Sequence, residues 1–312
     1  MPDLLVITGP TATGKTALGV ELALLMNGEV VSADSMQVYR RMDIGTAKPT
    51  EKEMRGVKHH MLDVAEPDED FSAARYIAMA SACVEDIRAH GKLPIVVGGT
   101  GLYIDGLLRG TEYAAAADGG LRAELEAEYD RIGGEAFLKT LHAIDPDRAA
   151  LLHPRDKKRL VRAREVYILT GETITAHDER SRQTPPRYTA MKLALTFRQR
   201  ETLYARIDRR AEEMFRRGLA EEVRQLLRGG LSAECTAMQA IGYKETAACL
   251  AGDCTLTEAI EAVKTKSRQY AKRQLTWLRR DESVRWLEWE NVPDMTAARQ
   301  ISAEFFRVNA VK

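Results

Sequence analysis

The residues Gly9-Pro10-Thr11-Ala12-Thr13-Gly14-Lys15-Thr16 combine the types and spacing needed to hold a phosphate chain. They match G-x-x-x-x-G-K-S/T in full and lie between the apolar run Leu4-Leu5-Val6-Ile7 and a helical pattern, the context in which that motif binds phosphate. Two glycines let the backbone fold tightly around an anion, so that several N–H groups and the helix N-terminus face it. Lys15 adds a mobile positive charge for the terminal phosphate oxygens, and the Thr16 hydroxyl can hold Mg²⁺. A chance glycine turn is the bland alternative, and the strand–loop–helix context weighs against it. A phosphate-bearing ligand follows; its identity does not.

Two further positions could do chemistry beside such a ligand. Asp34 closes the run Glu29-Val30-Val31-Ser32-Ala33 and is expected at a strand's carboxyl end, where open α/β sheets bind ligands. We place it on the strand next to the phosphate loop. Thr100 sits among three glycines in Gly98-Gly99-Thr100-Gly101, which means either backbone passing close to a ligand or a tight strand-to-helix turn. The strand before it, Leu93-Pro94-Ile95-Val96-Val97, ends in Gly98-Gly99 and lacks the carboxylate with which most NTP hydrolases organise Mg²⁺ and water. Asp34 is then the one well-placed acid, suited to taking a proton from an acceptor beside a bound diphosphate or triphosphate. Two classes survive: a kinase acting on a small molecule or nucleotide, and a transferase whose leaving group is the phosphate chain.

Local charge adds to this. Asp156 to Arg164 carries five basic residues in about two helical turns, which is either a solvated face or a nucleic-acid contact. Lys264 to Arg280 is basic with no acidic residue, and Tyr270 and Trp277 are interleaved in it. Basic groups serve phosphates and aromatics stack on bases, although a helix packing its aromatics inward has the same pattern. A large anionic acceptor is favoured. The pair His59-His60 invites a metal reading, but adjacent strand residues face opposite ways, so we expect one core histidine and one facing the site.

As for the elements that must position these residues, the pattern predicts helices over 15–26 and 72–90 and strands over 4–8, 29–34, 58–64 and 93–97. That alternation implies a parallel, helix-covered sheet. The stretch from Ser35 to Pro49 reads as a candidate binding loop, and Ala114 to Asp118 as a turn. From 120 to 184 the periodicity is helical without a convincing strand. The sheet resumes at Met191 to Phe197, followed by one long helix carrying Leu203, Ile207, Met214 and Val223. The capping box Thr255-Leu256-Thr257-Glu258 opens another, and 284–289 is a last edge strand. With 312 residues, 45% of them apolar, one large core or two modest ones are possible. Lys plus Arg and Asp plus Glu are 46 each, so net charge does not point to a partner. There is no basic-then-apolar leader and no apolar run near the roughly 18 residues of a spanning helix. The four scattered cysteines suggest neither zinc nor disulfides, and we expect a cytoplasmic monomer with no membrane role.

Several of these stretches together resemble the tRNA dimethylallyltransferases (tRNA isopentenyltransferases). They are the phosphate loop, Ser32-Ala33-Asp34-Ser35-Met36-Gln37-Val38-Tyr39-Arg40, Met42-Asp43-Ile44-Gly45-Thr46-Ala47-Lys48-Pro49, His59-His60, and Gly98-Gly99-Thr100-Gly101-Leu102-Tyr103. The resemblance continues through Asp145-Pro146, Leu203-Tyr204-Ala205-Arg206-Ile207, Ile241-Gly242-Tyr243-Lys244-Glu245 and Tyr270-Ala271-Lys272-Arg273-Gln274-Leu275-Thr276-Trp277, nearly the whole chain. Two departures are Arg155, where the family usually has Asn, and Arg164, where it usually has Leu. The zinc finger of eukaryotic relatives is missing, which implies the bacterial type.

The resemblance implies an α/β fold: a P-loop NTPase-like parallel sheet covered by helices over 1–112 and 187–312, with a helical insertion domain over 113–186 that contacts tRNA. It implies transfer of the dimethylallyl group of dimethylallyl diphosphate to N6 of adenosine 37 in tRNAs reading codons that begin with U. The loop, Arg206 and Arg210 would hold the diphosphate, with Mg²⁺ on Thr16. Asp34 would accept the amine proton, and Lys15 and Thr100 would complete the catalytic set. The tRNA anticodon stem–loop would meet Asp34, Ser35, Met36, Gln37 and Thr100, then Arg122, Lys158, Arg159, Leu160, Val161 and Arg162. It would also meet Gln239, Ala240, Ile241, Gly242, Tyr243 and Lys244, and finally Lys272, Arg273, Gln274, Leu275, Thr276, Trp277, Leu278 and Arg279.

Overall fold

Six strands and fourteen helices are seen in a computed structural model that describes residues 2–111 and 119–310. In chain order they begin β1 (Leu4–Thr8), α1 (Lys15–Leu25), β2 (Gly28–Ala33), α2 (Glu51–Met54), β3 (His59–His60), α3 (Ala73–Ala89), β4 (Leu93–Gly98) and α4 (Gly101–Arg109). Then follow α5 (Gly119–Ile132), α6 (Gly134–His142), α7 (Pro146–Ala150), α8 (Lys157–Thr170) and α9 (Ile174–Gln183). The chain closes with β5 (Ala190–Phe197), α10 (Arg200–Arg216), α11 (Leu219–Arg228), α12 (Tyr243–Ala251), α13 (Leu256–Leu278), β6 (Val284–Trp289) and α14 (Met295–Ala310). Two compact units result, residues 1–108 with 187–312, and residues 109–186. No helix among the described residues is long and apolar enough to cross a membrane.

The larger unit is built on a parallel sheet in the order β3-β2-β4-β1-β5-β6. β1 is buried along its whole length because helices cover both faces, which is why it reads as an unbroken apolar run. Leu5, Ile7, Leu18, Ile95, Leu193 and Ile207 share the main core. Ser72 caps α3 through Arg75 N, and the expected capping box at Thr255 and Glu258 opens α13.

The sheet order corrects one expectation. β4 lies between β1 and β2, so Asp34 is not on the strand beside the phosphate loop. The strand expected over 58–64 is reduced to His59–His60, whose rings both serve structure. His60 Nε2 lies 2.6 Å from Glu29 Oε2, and His59 Nδ1 lies 2.9 Å from Val57 O, so neither histidine faces the site. The long helix expected after β5 is broken: Gly218 at φ 101° starts α11 in a new direction, because its left-handed backbone cannot continue α10. The turn expected at Ala114 to Asp118 falls outside the described residues.

In the smaller unit all described elements are helices, around a core of Leu125, Phe137, Leu141, Leu160 and Val161. Leu160 and Val161 are buried there, so their side chains pack and do not reach RNA. Arg164 is accommodated by Glu128 at 2.8 Å and by the ring of Phe137.

Near the amino end of β2, Glu29 forms an ionic knot with Lys92 at 2.7 Å and with His60 of β3. Burial alone would raise its pKa, but the hydrogen bonds from Lys92 and His60 overcome this and bring it down to about 2. A carboxylate held below its unfolded value stabilises the fold above that value and loses the contribution as pH falls. Urea or thermal melts should therefore show a stability loss between about pH 4.5 and 2 that is smaller in Glu29→Gln. Equal acid sensitivity of the two proteins would remove Glu29 from that role.

Candidate active site

The phosphate loop follows β1 and is shaped from outside itself. Arg206 Nε on α10 donates to Ala12 O at 3.1 Å, Trp289 Nε1 on β6 to Thr13 O at 3.0 Å, and Gln274 on α13 accepts from Thr11 N at 3.2 Å. Ala12 is held at φ 66°, a left-handed conformation that a side chain disfavours, so these contacts hold the loop against its own preference. Within the loop, Thr13 Oγ1 and Lys15 Nζ both donate to Pro10 O, at 2.8 and 2.7 Å.

A cavity of about 360 Å³ opens beside the loop. Thr11, Lys15, Thr16 and Arg210 line it, with Asp34, Ser35, Met36 and Gln37 from the end of β2. Gly98 closes β4 and Gly99 follows it, and both line the cavity between these two groups. A Cβ on Gly98 would sit 2.2 Å from Ala33 O, and one on Gly99 would sit 2.1 Å from Gln274 Nε2. Gly98 is therefore required by close backbone approach, whereas Gly99 makes room for the Gln274 side chain. Thr100 Oγ1 accepts from Ser35 N at 3.1 Å, which ties the turn after β4 to the segment carrying Asp34.

Asp34 Oδ1 accepts from Met36 N at 2.9 Å, and its other oxygen has no hydrogen bond among the described residues. One oxygen thus fixes the carboxylate while the second is available to the cavity. Recession from solvent, reinforced by the charge of Arg210 and opposed by that of Asp34, lowers the Lys15 ammonium pKa to about 7. Burial likewise lowers Arg210, partly offset by Asp34. Burial and the Asp34 charge push Tyr270 up to about 12, so it is a neutral hydrogen-bonding group in the cavity wall.

The expected site residues separate into groups. Asp34, Ser35, Met36, Gln37, Lys15, Thr16, Arg210, Gln239, Ala240, Ile241, Arg273 and Gln274 come together around the cavity. Arg206 does not line it; its guanidinium stacks over Phe197 and supports the loop from behind. Tyr243 and Leu278 are buried, so neither side chain is open to RNA: Leu278 packs, and Tyr243 donates its hydroxyl to Glu222. Gln274 is buried too, with both amide atoms used by Thr11 N and Gly99 O. Trp277 donates to Asp105, whereas Lys272, Arg273 and Arg279 stand exposed on the same helix. In the smaller unit, Lys158 and Arg159 are exposed, while Arg122 and Arg162 converge at 2.7 Å on the buried Glu165. Sequence reasoning missed the apolar wall Ile207, Ala211, Met214 and Val263, because spacing alone marks those positions as ordinary core.

Comparison with known proteins decides the lineage. The IPP transferase family profile matches residues 37–281. The chain belongs to the IPP transferase family. It is 46% identical over 301 residues to a tRNA dimethylallyltransferase of Desulforudis audaxviator, covering 96% of each chain. Among solved structures, the tRNA isopentenylpyrophosphate transferase of Bacillus halodurans is similar with TM-score 0.72 and 40% identity, over 97% of this chain and 96% of that one. A eukaryotic dimethylallyltransferase described as acting on tRNA is similar with TM-score 0.82 and 30% identity, over 97% of this chain and 79% of its own.

The residues present fit Mg²⁺ of a particular kind. Thr16 lines the cavity with no hydrogen bond to its hydroxyl among the described residues, and Asp34 is the carboxylate nearby. No group of three or more His, Cys, Asp or Glu residues could hold a metal among the described residues. This donor set suits an ion bound largely by phosphate oxygens and water, as Mg²⁺ commonly is, and not an all-protein cage.

The lowered Lys15 pKa gives a direct test. By side-chain NMR, Lys15 should titrate near pH 7 in the free protein, and adding inorganic diphosphate should move the midpoint upward because an anion favours the charged ammonium. Binding should then take up protons above that pH. A midpoint that stays put on saturation would place the anion away from Lys15.

Proposed function

We propose that this protein transfers the dimethylallyl group of dimethylallyl diphosphate to N6 of the adenosine beside a tRNA anticodon. The observation that carries this is the composition of one cavity. It joins phosphate-holding groups (Lys15, Thr16, Arg210), a carboxylate with an unoccupied oxygen (Asp34) and an apolar wall (Ile207, Ala211, Met214, Val263). An apolar wall beside phosphate-holding groups suits a five-carbon allylic chain carried on a diphosphate. No observation favours the kinase reading.

In the reaction the C1–O bond of the donor breaks, and its electron pair leaves with the diphosphate. The N6–C1 bond forms, and the amine proton passes to Asp34. C1 carries cation-like character as the bond breaks, so stabilising the departing diphosphate is the main requirement. The loop N–H groups, Lys15 and Arg210 supply that charge. Mg²⁺ held by Thr16 would further neutralise the diphosphate oxygens. Thr100 orients the segment that carries Asp34 through Ser35 N. The adenine must leave its stack to enter, at roughly a few kcal/mol. Phosphate contacts from the exposed Lys272, Arg273 and Arg279, and from Lys158 and Arg159, would hold the RNA.

Incubation with an unmodified anticodon stem–loop and dimethylallyl diphosphate should give a mass gain of one C5H8 unit without ATP. Dependence on ATP, or phosphate delivered to a small acceptor, would restore a kinase. Asp34→Asn keeps one acceptor oxygen but loses the proton sink, so kcat should fall by ~10²–10⁴-fold with little change in RNA Kd. Near-normal single-turnover rates at saturating donor, RNA and Mg²⁺ would reduce Asp34 to a cap of the following turn.

The RNA reading has its own measurement. Lys272→Ala with Arg273→Ala should weaken RNA binding and flatten its dependence on salt, by about one unit of log–log slope for each phosphate no longer neutralised. Because Arg273 also lines the cavity, inorganic diphosphate binding is compared in Lys272→Ala alone, where it should be unaffected. An unchanged slope in the double variant would take both residues out of the RNA contact.

A further inference from the structure

Glu222 lies outside the cavity, yet it accepts four hydrogen bonds from the two segments that frame it. Its Oε2 accepts from Asp43 N at 3.0 Å and Ile44 N at 2.8 Å, and its Oε1 from Gly45 N at 3.2 Å and the Tyr243 hydroxyl at 2.5 Å. Three consecutive N–H groups pointing at one carboxylate form an anion nest, here filled by the protein's own side chain. The nest continues directly into Thr46 and Ala47, which line the cavity, and Tyr243 follows the lining residues Gln239 to Ile241. One carboxylate therefore pins two cavity walls that are about two hundred residues apart in sequence.

The walls meet too closely for looser attachment. A Cβ on Gly45 would sit 2.4 Å from Tyr243 Cε2, so bare backbone faces the tyrosine ring. The connection also runs on to the reacting groups. Gln37 Nε2 donates to Thr46 O at 3.2 Å, and Gln37 N donates to Asp34 Oδ1 at 3.4 Å. Glu222 is thus joined to Asp34 through backbone, one amide side chain and no mobile surface group. The phosphate loop is held by a different set, Arg206, Gln274 and Trp289.

We propose that Glu222 is a positioning residue for the acceptor: it fixes the spacing between the 43–47 wall and the 239–243 wall and thereby sets Asp34 against the adenine amine. The inference rests on the transfer reading above. Only a carboxylate accepts all four donors, since an amide in its place would turn an NH₂ toward an N–H or hydroxyl. Placement errors of an ångström in a reacting pair reduce rate far more than they reduce binding of a remote anion.

The full-length wild type, Glu222→Gln, Tyr243→Phe and the double variant should be compared well below their melting temperatures. Three quantities matter: the single-turnover rate of prenyl transfer at saturating RNA and donor, the Kd for inorganic diphosphate, and the Tm. We expect Glu222→Gln to slow transfer by about tenfold or more and Tyr243→Phe by a few-fold, with diphosphate Kd unchanged within about twofold. The double variant should be no slower than Glu222→Gln, because the tyrosine acts through the carboxylate. A purely structural role would lower Tm and leave the rate of folded enzyme intact, which would overturn the proposal. Parallel loss of diphosphate affinity would overturn it as well. Should Glu222→Gln fail to fold, Tyr243→Phe, which removes a single hydroxyl, decides the matter by the same split. A wild type that transfers no prenyl group defeats the functional reading itself, whereas a working wild type with normal variants defeats only the role of Glu222.

Discussion

A loop that offers its N–H groups to an anion cannot use those same groups to hold itself in shape. The constraint is general, because every amide turned toward the ligand is withdrawn from local turns and caps. Here Pro10 O is held from within the loop, by Thr13 and Lys15, and three further polar groups are gripped from outside. Arg206, Trp289 and Gln274 come from three elements late in the chain and bond Ala12 O, Thr13 O and Thr11 N. The C-terminal helices and the edge strand β6 are therefore part of the phosphate site, although none of them carries a phosphate-binding motif. Ala12, left-handed without being glycine, shows that the loop conformation is imposed and not intrinsic.

The sheet order imposes a separation of its own. With β4 between β1 and β2, the phosphate loop and Asp34 face one cavity across the end of β4, where Gly98 and Gly99 line it without side chains. At Gly98 the backbone of Ala33 leaves no room for a Cβ, so the strand-end carboxylate of hydrolases has no place there. The 35–49 segment is a loop, as expected, and one fixed by internal bonds. Lys48 is buried, and its ammonium meets Tyr39 O at 2.9 Å and the carboxylates of Asp43 and Asp63 at 2.6 Å each. A buried charge with three partners tolerates little movement. Rigidity of this kind suits the segment that carries Asp34, for which we propose the role of general base.

The basic stretches divide on the same principle. On α13, Lys264 and Arg268 pair with Glu212 and Asp208 of α10, so they dock the helix and are not open for RNA. Lys272, Arg273 and Arg279 remain exposed. In the smaller unit, Arg122 and Arg162 are oriented by a buried carboxylate, while Lys158 and Arg159 stand out into solvent. A run of positive charge in sequence is thus two populations in the fold.

Local patterns in the chain were enough to read the phosphate-loop motif, most of the strands and helices and the acid at the end of β2, but not the shortness of β3 or the break between α10 and α11. These depend on short-range signals: a glycine-bounded motif, period-two and period-3.6 apolar spacing, and capping boxes such as Thr255 with Glu258. Resemblance in the Ser32 to Pro49 block added the family. Other features became legible only in the folded chain. β4 separates Asp34 from the loop, and Arg206 supports the loop from behind while Arg210 faces the cavity. Leu160 and Val161 are packing groups, and Glu222, Tyr243 and Trp289 belong to the site's framework. Strand order and side-chain direction are settled by how whole layers bury their apolar faces, so partners such as Trp289 and Thr13 carry no local sign of each other until the chain has folded.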